Sequence, residues 1–387
     1  MEPLFTPEQL AEVSAYHAPG YLYSLIEFGV WPVVMTAITA WGTRPLFALA
    51  RRITSGLESK VMDRVWRGEG WAASVAFSEL LFFAFALLNL PADVWFGWFH
   101  EHEHGLSTAS AATFVLDAAK SRAITAAAVG ALALGVFGLA RRLSSWWWIV
   151  GAVGGVALSA SVLLDPYRNQ VYVDQVPLEE GPLERSIASL MAKASLEFSE
   201  VRVEKTSSRT VRLQAYFAGA GPTRAIVLND SLVRGLTEAE ILAAVAHEAG
   251  HVGAPLWPRQ LMVIVVLFGW LGFMEWVFRR AAAGGWFGIT ERADIRVLPL
   301  LVLVFDLAMT AGAPATAAVS RRAETRADAF AVRLTQDPAA FISMLTKAAR
   351  VNKMDPSPPA WVRPWLSHPT IADRIAAISA VGASASP

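Results

Sequence analysis

Apolar residues in this sequence gather in long blocks rather than in short alternations. Six blocks reach the length a bilayer demands of a helix, about 17–25 residues. They run from Tyr21 to Trp41, Trp71 to Leu90, Ile124 to Ala140, Trp146 to Leu164, Leu261 to Phe278 and Val297 to Ala317. Several end in arginine pairs or tryptophan, as membrane spans do. Arg141–Arg142 and Arg279–Arg280 read as end anchors, and Trp146, Trp147 and Trp148 as an interfacial belt. Glu27, Glu79, Glu275 and Asp306 lie inside or at the edges of these blocks. Lipid contact is costly for a carboxylate. These acids therefore either mark span ends at the interface or face a wet bundle interior, and the pattern leaves both open.

Two stretches outside the blocks are long enough to fold on their own. Asp165 to Arg259 carries a helical pattern from Leu178 to Leu196, then β-like alternation at Val211, Leu213, Ala215 and Phe217 with a Gly221–Pro222 turn, then helix again from Leu236 to Gly253. Ser320 to the end reads as helices broken by Pro356, Pro358, Pro359 and Pro369. The expected organisation is an amino-terminal segment (1–20), four membrane helices (21–165), an extramembrane unit with a small sheet (166–256), two membrane helices (257–318) and a carboxy-terminal segment (319–387). Met1 to Gly20 holds no Lys or Arg, so it lacks the positive start of a signal peptide.

Composition agrees with the pattern. The chain has 387 residues, 54% hydrophobic and only 17% charged, against about 25% charged in soluble domains. The 33 basic and 33 acidic residues cancel, which leaves no basic field for nucleic acid. There is no cysteine. Disulfides, thiol catalysis, thiolate zinc and prenylation of this chain are excluded. The fold class expected is mainly α and integral to the membrane, a six-helix bundle carrying an extramembrane α+β domain.

The chemistry concentrates at Ala246-His247-Glu248-Ala249-Gly250-His251, on a helix opened by Thr237 and Glu240 in a capping pattern. Residues four apart share a helix face, so His247 and His251 can offer two imidazoles to one Zn²⁺ per chain. Glu248 is placed to take a proton from attacking water, the H-E-x-x-H arrangement of zinc peptidases. A catalytic zinc needs a third ligand. Glu324 is the candidate, with Asp328 one turn on to orient a histidine from behind. Glu291 and Asp294 are rivals, but only one crossing separates them from His251, which puts them on the wrong side; Glu324 follows a second crossing. His100-Glu101-His102-Glu103-His104 also fits the expression, directly and in its inverted form. Its charged filling and its place after Trp98–Phe99 predict a solvated loop, with opportunistic metal binding as the alternative.

Read together, these residues resemble the membrane-bound type 1 CAAX prenyl proteases. The likeness covers Leu90-Pro91, Glu103-His104-Gly105-Leu106-Ser107-Thr108, Pro177 to Gly181, Ala215-Tyr216-Phe217, Gly221 to Arg224, Ile226 to Asp230, the zinc helix, Ser320 to Ala331, and Ser367-His368-Pro369 with Arg374-Ile375. It implies a helical barrel around a water-filled chamber closed at one end by the zinc site, which a zincin-like α+β catalytic domain carries. It implies that His368 meets substrate or the oxyanion with Arg374 nearby, and that a strand at Gln214, Ala215 and Tyr216 pairs with extended substrate. Gln214 stands where the family usually has Asn, and eukaryotic members carry seven membrane helices, one more than read here. The partners expected are the bilayer and a peptide or membrane-associated protein substrate, in a bacterial inner membrane. Quality-control cleavage of misfolded membrane proteins shares the same chemistry; an inactive scaffold and a transporter are the rivals without it. Orientation is in conflict. Arg44, Arg51, Arg52, Lys60, Arg64 and Arg67 join the first two blocks, and the positive-inside rule would set that side in the cytoplasm. The resemblance implies a cytosolic zinc domain instead.

Overall fold

The structure, a computed structural model, describes residues 5–57, 70–168, 170, 172–252 and 257–384. Lys60, Arg64 and Arg67 of the basic loop, and Gly253 at the end of the zinc helix, lie outside the described residues. Among the described residues, six helices are long and apolar enough to cross a membrane: Pro7–Ile53, Trp71–Glu103, Ala111–Arg142, Trp146–Leu164, Gln260–Gly284 and Ile295–Thr335. Each contains one of the six apolar blocks. Val33, Leu87, Val156 and Val265 are all at least 61% exposed on these helices, as side chains that face lipid must be.

The first helix starts well before its apolar block. α1 (Pro7–Ala37) is capped by Thr6, whose hydroxyl accepts from Gln9 N while the Gln9 side chain accepts from Thr6 N. It runs through one wider turn, Ile38–Gly42, into α2 (Thr43–Ile53). The polar amino-terminal stretch is thus helix. Phe5 and Val13 pack there on Ala349 and Ile371 of the carboxy-terminal segment. Next come α3 (Trp71–Val94), α4 (Ala111–Leu132) and α5 (Trp146–Arg168). α5 lies close on α8 (Trp257–Gly284): a Cβ added at Gly151 would come within 2.5 Å of the Phe268 ring.

The membrane acids separate on inspection. Glu275 is 7% exposed. It accepts from Trp146 Nε1 at 2.7 Å, Arg292 at 2.6 Å and Arg279 at 2.6 Å. It therefore closes the end of a span. Trp146 is fully buried by this contact and does not belong to the interfacial belt, whereas Trp148 is exposed. Glu79 turns toward Gly130 of α4. Glu27 is exposed and Asp306 half-buried.

At the opposite end sits a four-stranded sheet of order β1-β2-β4-β3. β1 is Gln175–Pro177, β2 Glu200–Glu204, β3 Ala215–Ala218 and β4 Ala225–Asn229. β2 and β4 are parallel; the outer pairs are antiparallel. β4 is buried along its whole length. The expected helix at Leu178 to Leu196 is shorter, α6 (Pro182–Lys193), and Val211 to Gln214 runs into β3 without being strand. Over the sheet lie α7 (Glu238–Val252), the far half of α9 (Leu298–Thr335), α10 (Pro338–Val351) and α11 (Ile371–Ser384). Ile187, Met191, Ile226, Leu228, Ile241, Val245, Phe341 and Ile378 form their common core. α9 is one continuous helix, although Ser320 and the charges after it suggested a fresh start.

Candidate metal centre

α7 begins as its capping pattern predicts. Thr237 N donates to Glu240 Oε2 at 2.7 Å, and Glu240 N to Thr237 Oγ1 at 3.4 Å. Glu240 also accepts from Ser343 and Lys347 of α10. Burial raises its carboxyl, but these bonds outweigh it and bring the pKa down to about 2. A depressed carboxylate contributes stability above its unfolded value, near 4.5, and loses it as pH falls toward 2. The wild type should therefore lose on the order of 3 kcal/mol across that window through this group alone. Thermal unfolding of Glu240→Gln should show a correspondingly flatter acid limb; equal acid limbs would remove Glu240 from the account.

One turn pair further on, His247 and His251 face a common point. His247 Nε2 and His251 Nε2 are 3.3 Å apart. Glu324 of α9 sets Oε2 at 3.4 Å from His247 Nε2 and Oε1 at 3.3 Å from His251 Nε2. Asp328 Oδ1 lies 2.8 Å from His247 Nδ1, which fixes that ring proton and aims Nε2 at the other two donors. Arg374 grips Asp328 through two bonds, at 2.6 and 2.9 Å. It is 6% exposed and sits behind His247. His368 is exposed, with Nδ1 at 2.9 Å from Glu324 Oε2. Burial depresses His247, but bonds to Asp328 and Glu324 outweigh it and carry the pKa to about 9. Burial lifts Glu248 above the ordinary carboxylate range, against the pull of His247 and His251.

This donor set fits a zinc ion. Four ligands at about 2.05 Å from a tetrahedral centre are separated from one another by about 3.3 Å, and the three distances here are 3.3, 3.3 and 3.4 Å. Two imidazoles and one carboxylate are also the ligand types of a catalytic rather than a structural site.

Gly250 lets the two helices meet. A Cβ there would lie 2.7 Å from Ala327 Cα and 3.2 Å from its carbonyl oxygen. These are backbone atoms and cannot swing aside. Gly250→Ala gains about 1 kcal/mol of helix propensity, but overpacking costs about 1–3 kcal/mol and pushes Glu324 and Asp328 away from the histidines. We expect a lower melting temperature together with reduced zinc content; a variant that melts higher and retains full zinc would contradict this close approach. Sequence pattern gave Gly250 no role. A glycine inside a helix was the available signal.

β3 is an edge strand. Its inner side pairs with β4, Tyr216 opposite Val227 and Phe217 opposite Ile226. Asn229 Oδ1 accepts from Gln214 N at 3.1 Å, and Asn352 brackets Leu213 through both N and O. These two asparagines hold the approach to the strand; neither was singled out by pattern. Gln214, Ala215 and Tyr216 line a groove with His247, Glu248, His368 and Arg374. A second groove is shared by Phe217, Glu248 and His251 with Leu158 and Val162 of α5 and Val263 and Ile264 of α8. Glu248 borders both. The other histidine cluster is not a solvated loop. His100–Glu103 is a helical turn continuing α3 through Trp95–Phe99, and His100 is buried against Tyr16.

The profile described as "Peptidase family M48" matches residues 177–381. The one described as "CAAX prenyl protease N-terminal, five membrane helices" matches residues 2–164; four candidate spans lie there among the described residues. The "Uncharacterized metalloprotease YhfN" of Bacillus subtilis is 28% identical over 343 residues, 84% of this chain and 76% of its own length. "CAAX prenyl protease 1" of Saccharomyces cerevisiae is 25% identical over 337 residues, 80% and 73%. The crystal structure of S. mikatae Ste24p shares the fold, with a TM-score of 0.78 at 22% identity over 97% of this chain and 92% of that one.

Proposed function

Because the chain belongs to peptidase family M48, we propose that its metal centre, with one zinc ion per chain, cuts extended segments of membrane-associated proteins. It is a metallopeptidase, a hydrolase of peptide bonds related to the CAAX prenyl proteases, and a multi-pass integral membrane protein. The observation that carries the substrate reading is the groove in which Glu248 and His251 share walls with α5 and α8. A segment tethered in the bilayer reaches such a groove without first dissolving in water.

His247, His251 and Glu324 would hold the zinc. When bound, it polarises the scissile carbonyl and makes water acidic enough to attack near neutral pH. Glu248 takes the proton of the attacking water and returns it to the leaving amine. Gln214, Ala215 and Tyr216 offer the outer edge of β3 to an extended segment, which main-chain pairing would hold straight. The glutamine side chain does not form that edge, so its difference from Asn leaves the pairing intact. His368, exposed beside Glu324, is the group that can move to offset charge developing on the carbonyl oxygen. Arg374 acts through Asp328 as a positioning residue for His247, because its guanidinium is committed to that carboxylate.

The location we read is a bacterial inner membrane with the zinc end in the cytoplasm. Arg322, Arg326 and Arg333 lie exposed on α9 at that end, but Arg51, Arg52, Arg141 and Arg142 close spans at the other, so this orientation rests on the family likeness and not on the positive-inside rule. A reporter at the carboxyl terminus tests it. The substrate reading is tested in proteoliposomes with one peptide in two forms, with and without a lipid anchor. The anchored form should be cut with at least tenfold higher kcat/KM; equal values would overturn the reading. A membrane-proteome comparison of wild type with Glu248→Gln would separate processing of single tails from general clearance.

A further inference from the structure

We propose that His100, Glu103 and His104 form a second transition-metal site, separate from the first, weaker than it and suited to Zn²⁺. Each of the three residues offers a ligand atom within 4.8 Å of the others. His100 and His104 are four apart at a helix end and so share a face, with their ring centroids 4.6 Å apart. Glu103 supplies a carboxylate beside them. Two imidazoles and a carboxylate suit Zn²⁺ or its Irving–Williams neighbours better than Mg²⁺ or Ca²⁺.

A second observation points the same way. His100 Nε2 lies 2.8 Å from the Tyr16 carbonyl oxygen. It donates its proton there and leaves the lone pair on Nδ1. That is how metal-binding histidines are usually held, by a carbonyl on the far nitrogen. The ring is also stacked on Tyr16, which fixes its plane. His102, between the two, is already committed: its nitrogens lie 2.7 Å from Trp98 O and 2.8 Å from Ala109 O. The ligand set is therefore selective among the three histidines.

Glu103 is exposed and His104 half-buried, whereas two of the three donors of the first centre are buried. All three come from one short turn, which gives a smaller gain from preorganisation than two buried helices do. Both facts make this the weaker site. Its place suggests a purpose. The turn after His104 is stitched to the strand approach: Val211 N donates to Leu106 O at 3.1 Å, Thr108 N to Arg209 O at 3.0 Å, and Arg212 pairs with Glu101 at 2.7 Å. That approach leads into Gln214 and β3. Metal held at His100 and His104 would stiffen the anchor of the substrate edge.

The test is metal stoichiometry, which does not depend on any peptidase activity. Full-length protein, free of affinity tags and stripped in detergent, is titrated with Zn²⁺ against a chromophoric chelator. Two equivalents are expected in the wild type, the second at least tenfold weaker. Glu324→Ala should lose the tight one and keep the weak one. The double variant Glu103→Ala/His104→Ala should keep only the tight one; His100 is left in place because its ring is part of the packing. Unfolding temperature confirms that this variant folds. A single equivalent in the wild type, or two in a folded double variant, would overturn the second site. If instead Glu324→Ala still holds two, the first centre is misassigned and this one is untouched.

Discussion

Glu248→Gln should leave a folded protein with its zinc in place and its peptidase turnover reduced by about 10²–10⁴-fold. The substitution keeps size and helix propensity and removes one function, the capacity to accept a proton. Glu248 is not among the three groups that converge at 3.3–3.4 Å, so metal content should not follow activity down. Burial lifts its carboxyl above the usual range, which brings its basicity nearer to that of a neutral-pH base and makes a neutral amide a poor replacement. Zinc by elemental analysis and turnover of a fluorogenic peptide are the paired measurements. Turnover at the wild-type rate would remove Glu248 as the base.

Glu324→Ala should fail differently, by losing the metal itself. Both carboxylate oxygens face a histidine nitrogen, and the side chain is 5% exposed. Loss of an outer hydrogen-bond partner of a ligand costs about 10–100-fold in affinity; loss of a ligand must cost more. The truncation also leaves His247 and His251 facing each other with nothing between them, and strips His368 of its neighbour. We expect zinc affinity at this centre to fall by more than 100-fold, with activity following. Chelator competition reads the first and peptide turnover the second. Affinity within tenfold of the wild type would show that the third ligand is elsewhere.

The parts of this molecule legible in its sequence are those whose cause is local. The zinc helix declares itself because a four-residue repeat on a helix is a statement about one face, and Thr237 and Glu240 mark its start within the same turn. The spans declare themselves by length. Glu324 was reached by counting crossings, an argument about sides rather than distances. Other features depend on partners far along the chain. Trp146 looked like part of an interfacial belt because its run of three tryptophans is local, while Glu275, the acceptor that buries it, is 129 positions away. Arg374 could be matched to a position but not to Asp328. Gly250 is explained only by Ala327. His100 to His104 reads as charged and solvated until the ring of Tyr16 is placed on it. The continuity of α9 was hidden by its own charges: polarity after Ser320 marks the bilayer surface and not a helix end.

That continuity has a mechanical consequence. The helix that crosses the bilayer from Leu298 also carries Glu324 and Asp328, with a proline at 314 in between. Ten residues separate Pro314 from Glu324, about 15 Å of rod at 1.5 Å per residue. A swing of only about 4° at that proline would displace the carboxylate by about 1 Å, an error of the size that costs an enzyme about 100-fold in rate. Mismatch with the thickness of the bilayer is one load that such a rod takes up by tilting or kinking. Catalysis in thin and thick vesicles should therefore differ even when the peptide and the ion are the same.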